Sequence, residues 1–116
     1  MHYIQAGKGL PPIVFVHGFA CTHVDWQPQI EHFSATNAVL ACDLRGHGAT
    51  PGDSHDCSIE TYGADVAALL GELKLPPAIL VGHSMGCRVV LQACLAAPER
   101  VAGVVLVDGS RLGFGD

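Results

Sequence analysis

The chain has 116 residues, of which 49% are hydrophobic and 15% charged, with a formal net charge of -5. That is material for one small domain with an apolar core, and it excludes a disordered polar chain. The six Lys and Arg residues are scattered through a mildly acidic sequence, so no basic stripe exists to track a nucleic-acid backbone. The five cysteines are odd in number and form no CxxC pair. This argues against a disulfide framework or a structural zinc site and favours a reducing, cytoplasmic setting. No apolar run reaches the ~20 residues of a membrane span, and Met1 to Gln5 lacks the regions of a signal peptide.

In chain order, His2 to Gln5 suggests a short leading strand. Ile13 to Val16 is a continuous apolar run bounded by Pro and Gly, the pattern of a strand buried on both faces of a parallel sheet. Trp26 to Phe33 follows as a short helix, with Pro28 suited to its first turn. Val39 to Cys42 is a second buried strand. The polar stretch Gly46 to Cys57, rich in Gly, Asp and His, reads as a surface loop. Ser58 is an N-cap candidate for a helix whose apolar stripe is Ile59, Tyr62, Val66, Leu69, Leu70 and Leu73, and Pro76-Pro77 ends it. Ala78 to Val81 is a third buried strand. Met85 to Ala96 is a helix with Val89, Val90, Ala93 and Ala97 turned inward, stopped at Pro98. Val104 to Val107 is the last strand. Strict alternation of strand and helix predicts right-handed crossovers and an open, mostly parallel, doubly wound α/β sheet with flanking helices.

The chemistry concentrates at the strand ends. Gly82-His83-Ser84-Met85-Gly86 lies where a strand meets a helix. A serine there must make a very tight turn to lift its hydroxyl clear of both elements. Glycines on either side remove side chains that would collide with neighbouring backbone. The helix beginning at Met85 aims its positive end at the same place. Phe15-Val16-His17-Gly18-Phe19 closes the first buried strand. Ligands bind outside the carboxyl ends of parallel strands, so this loop can sit beside Ser84. Backbone N–H groups of Phe19 and Met85 would then form a two-donor oxyanion hole. Phe19 and Trp26 are candidates to line an acyl pocket, although an aromatic near a strand end is more often core. In Cys42-Asp43-Leu44-Arg45-Gly46-His47-Gly48 the economical reading is structural, with Asp43 and His47 organising a glycine-rich turn and Arg45 bracing a neighbouring loop.

Taken together these segments resemble the α/β-hydrolase superfamily, in its single-domain esterase, haloperoxidase-like and C–C hydrolase branch. The matches are His17-Gly18-Phe19, Asp43-Leu44-Arg45-Gly46-His47-Gly48, Gly82-His83-Ser84-Met85-Gly86, Pro98-Glu99-Arg100-Val101 and Val105-Leu106-Val107-Asp108. The resemblance implies Ser84 as nucleophile, Phe19 and Met85 N–H as the oxyanion hole, and no metal or organic cofactor. A serine at 84 argues against the epoxide hydrolase and haloalkane dehalogenase relatives, which carry aspartate there.

One part of the pattern is missing. Such a serine needs a histidine base, itself oriented by a carboxylate, and the family's order is Ser, acid, His. The histidines stand at 2, 17, 23, 32, 47, 55 and 83, and none follows Ser84. Asp108, at the tip of the strand after the elbow helix, is the candidate acid within the chain, although an Asp before Gly109 is also a common turn former. The expectation is that residues 1–116 are the N-terminal portion of one α/β-hydrolase domain, stopping before the cap and last strands. Its partners would then be a small ester or acyl substrate and the rest of its own domain, with an uncovered sheet edge after Val107. Three functions stay open: an acyl hydrolase completed by sequence beyond residue 116, a C–C bond hydrolase built from the same parts, and a non-catalytic binding protein or fragment.

Overall fold

A computed structural model describes residues 3–17, 26–43 and 58–107. Five strands form one sheet: β1 (Tyr3–Ala6), β2 (Ile13–Val16), β3 (Val39–Cys42), β4 (Ala78–His83) and β5 (Val101–Val107). Their spatial order is β1-β3-β2-β4-β5. Only β1 runs antiparallel, against β3, and the other pairings are parallel. The mostly parallel doubly wound sheet expected from the sequence is therefore present, with the leading strand shifted by one residue. The last strand begins three residues earlier than its apolar run, because Val101 and Gly103 already pair with β4.

Among the described residues three helices cover the sheet: α1 (Gln27–Phe33), α2 (Ile59–Glu72) and α3 (Met85–Ala96). The period-2 alternation of each strand sorts its side chains between two cores. Val14, Val16, Leu40, Cys42, Ala78 and Leu80 face α2 and α3, where they meet Tyr62, Val66, Leu69, Leu70, Val89, Val90 and Ala93. Ile13, Phe15, Val39, Ala41 and Val81 face α1, where they meet Trp26 and Ile30. Every residue of β2 and β3 is buried, as their unbroken apolar runs require.

The helix boundaries follow local chemistry. Ser58 is extended and its Oγ accepts a hydrogen bond from Thr61 N–H at 3.1 Å, so it caps α2. Pro28 occupies the first turn of α1. Pro98 follows α3 and opens a 3-10 turn, Pro98–Arg100, that leads into β5. In β5, Val105, Leu106 and Val107 are exposed. The strand stands last in the sheet order.

Leu70 is buried between α2 and the sheet, whereas Leu95 on α3 is 77% exposed. In equilibrium urea unfolding, Leu70→Ala should cost about 2–5 kcal/mol, and Leu95→Ala should stay within about 0.5 kcal/mol of the parent.

Candidate active site

The sheet order reverses between β2 and β4. From β2 the chain moves outward to β3, then returns to the other side of β2 as β4. Crossovers leave in opposite directions at such a point and open a crevice outside the carboxyl ends of the two strands. The registers Val16↔Gly82 and Val16↔Cys42 bring three strand ends level. His17, Asp43 and His83 to Ser84 therefore lie along one edge.

Ser84 sits between the last residue of β4 and the first of α3, with φ 55° and ψ -116°. Positive φ in a non-glycine residue is strained by about 1–3 kcal/mol and persists only where the surroundings hold it. Those surroundings are specific. Ser84 N–H donates to Val107 C=O at 3.1 Å, tying the turn to the end of β5, and Cys87 N–H donates to Ser84 C=O at 3.0 Å. The Cys87 thiol donates to Gly82 C=O at 3.2 Å and lies 3.6 Å from Val107 C=O. Two close approaches explain the glycines. A Cβ on Gly82 would lie 2.3 Å from Gly86 C=O, and a Cβ on Gly86 would lie 2.3 Å from Val16 C=O. The first turn of α3 is thus pressed directly onto the end of β2.

A serine preceding a helix ordinarily spends its hydroxyl on an N-cap bond. Ser84 does not: its backbone is outside the capping region and its side chain makes no cap hydrogen bond. Ser84 as a whole is half-buried at this strand end. Met85 follows as the first residue of α3, where a backbone N–H has no carbonyl one turn back to bond. An activated serine oxygen beside unspent amide donors at a helix N-terminus can attack an electrophilic carbonyl and stabilise the charge that forms on it.

The other sequence candidates are distributed as follows. Trp26 is buried at the start of α1, its ring 4.8 Å from that of Phe15 and edge-on to His83 at 6.2 Å. Phe19 and Asp108 lie outside the described residues, as do Arg45, His47 and His2, His23 and His55. Of the three described histidines, His17 is buried beyond β2, His83 meets Trp26, and His32 is exposed on α1 against Phe33. Asp43 is fully buried at the end of β3, and the glycine-rich turn it was expected to organise lies outside the described residues. No cluster of three potential metal ligands occurs among the described residues, and no described helix is long and apolar enough to cross a membrane. Sequence reading missed the role of Cys87 at the elbow. Its only sequence signal is a position three after Ser84, which places it in the same first helical turn.

A family model described as alpha/beta hydrolase fold matches residues 11–114. Among curated proteins, the chain is 31% identical over 108 residues to the (E)-2-((N-methylformamido)methylene)succinate hydrolase of Acinetobacter baylyi, covering 93% of this chain and 41% of that protein. It is 44% identical over 101 residues to a non-heme chloroperoxidase of Streptomyces lividans, covering 84% and 36%. Among solved structures it superposes on Est816, an N-acyl homoserine lactone degrading enzyme, with TM-score 0.87 and 36% identity over 93% of this chain and 41% of that one. The chain thus spans less than half the length of each of these relatives.

Two predictions follow from this geometry. Gly86→Ala forces backbone against backbone and should cost several kcal/mol or prevent folding. Gly103→Ala, with nothing within 4 Å of the new methyl, should change stability by less than about 1 kcal/mol in the same thermal melt. The second concerns Cys42, whose thiol is pushed up from 9.0 to about 12, first by burial and then by the neighbouring Asp43. Below pH 9 both folded and unfolded thiols keep their proton, so stability is unaffected. Between pH 9 and 12 the unfolded chain loses a proton that the folded one retains, so this contribution falls as pH rises, by about 1 kcal/mol per pH unit. Cys42→Ala should flatten that slope in denaturant titrations at stepped pH.

Proposed function

The chain belongs to the α/β-hydrolase fold family, and on that premise we propose that it carries the nucleophile of a serine hydrolase acting on carboxylic esters or related acyl compounds. The observation that carries this reading is Ser84 itself, held at positive φ between β4 and α3 with its hydroxyl unspent on capping. Ser84 Oγ attacks the substrate carbonyl. The N–H groups of Met85 and Phe19 receive the oxyanion, reinforced by the positive end of α3. Collapse of the tetrahedral intermediate expels the leaving group and leaves an acyl-serine, which water then hydrolyses.

The reaction needs a base, and no histidine follows Ser84 in the sequence. Among the described histidines, His17 is buried, His83 rests edge-on against Trp26 and His32 against Phe33. The base is therefore assigned to sequence beyond residue 116, with residues 1–116 as the N-terminal portion of the hydrolase domain. The acid comes from the same region, with Asp108 as the alternative within the chain. The lengths of the relatives leave room for both. The acyl class finds support in Est816, because a lactone is a cyclic ester. The thiols of Cys42 and Cys94, which form no disulfide, suit a reducing, cytoplasmic setting.

In the protein that joins this chain to its histidine, a fluorophosphonate should label Ser84 at one equivalent, and Ser84→Ala should abolish labelling and ester turnover. A folded protein that hydrolyses esters but is labelled at another residue, or is not labelled, rejects the assignment.

A further inference from the structure

The elbow is clamped visibly on its α3 side: Gly86 against Val16 C=O, the Cys87 thiol on Gly82 C=O, and Ser84 N–H on Val107 C=O. On the opposite side of the sheet the residue that enters the turn is His83. Side chains alternate along β4, so His83 follows Ile79 and Val81 toward α1. There its ring meets the ring of Trp26 at right angles.

Trp26 is a firm abutment. It is 6% exposed, and its ring leans at 31° against Phe15, which is itself 2% exposed within β2. Its indole N–H is buried and has no hydrogen-bond partner among the described residues. Leaving such a donor unsatisfied costs about 1–3 kcal/mol. A phenylalanine would avoid that cost while still packing on Phe15. What the larger ring adds is reach to His83, next to the strained serine.

We propose that Trp26 is a positioning residue for the nucleophile, acting through His83. The edge contact fixes the His83 ring, which limits rotation of the backbone that joins β4 to Ser84. The direction of the Ser84 hydroxyl and of the Met85 N–H follows from that backbone. A misplacement of about 1 Å at reacting groups can cost on the order of 100-fold in rate, so a buried ring off the reaction path has leverage on the chemistry. This inference rests on Ser84 being the nucleophile.

The test compares Trp26→Leu, Trp26→Phe and Ile30→Ala in the protein joined to its histidine. Ile30 is a buried member of the same cluster and controls for general loosening. The first readout is amide hydrogen exchange at Ser84 and Cys87, relative to Ile79–Val81 in the same strand. The second is the rate of fluorophosphonate labelling, with kcat and KM measured separately. Trp26→Leu should speed exchange at Ser84 and Cys87 about tenfold and slow labelling and kcat by a similar factor, with KM changed less than about twofold. Trp26→Phe should fall between Trp26→Leu and the parent, and Ile30→Ala should move neither ratio. If Trp26→Leu does not fold, Trp26→Phe against Ile30→Ala decides the matter. Exchange at Ser84 and Cys87 that rises no more in the Trp26 variants than in Ile30→Ala overturns the proposal. A parent that exchanges as described but is never labelled at Ser84 defeats the hydrolase reading, while the exchange comparison still judges Trp26.

Discussion

The approach of α3 to the end of β2, with no side chain between them, is the constraint on which the rest of the site depends. Gly86 lies so close to Val16 C=O that a methyl group would not fit, and Gly82 lies equally close to Gly86. This contact draws the helix N-terminus over the crevice where the sheet order reverses. It also leaves the chain one residue in which to turn from strand to helix. That residue is Ser84, and its positive φ follows from the shortage of room.

Strain of this kind needs a stiff frame, and the two cores provide it. The sheet is sandwiched, with α2 and α3 on one face and α1 on the other, and β2 at the middle contributes to both. Phe15 and Val16 are consecutive residues serving opposite cores. Phe15 supports Trp26, and the carbonyl of Val16 receives α3. The strand that carries no part of the Ser84 turn therefore determines where that turn can be.

Much of this was legible in the residues alone. Unbroken four-residue apolar runs marked β2 and β3, because a strand buried on both faces has no polar positions to interrupt it. Ser58, Pro28 and Pro98 marked helix ends, because caps and proline act locally. The elbow was legible because its glycines answer a steric demand within five residues of chain. What could not be read depends on contacts between distant segments. Nothing near Cys87 announces that its thiol will meet Gly82 C=O and approach Val107 C=O. Nothing near Trp26 announces a ring contact 57 positions away. Of the two readings the sequence offered for Trp26, pocket wall or core, its burial against Phe15 accords with the core.

Trp26 is the single tryptophan of residues 1–116, so the indole emission of this stretch comes from a ring set against the residue that precedes Ser84. The emission of a buried indole responds to the polarity of its surroundings. The chain therefore carries an optical reporter of its own elbow. Emission intensity and wavelength can follow changes at the Ser84 turn without any added label.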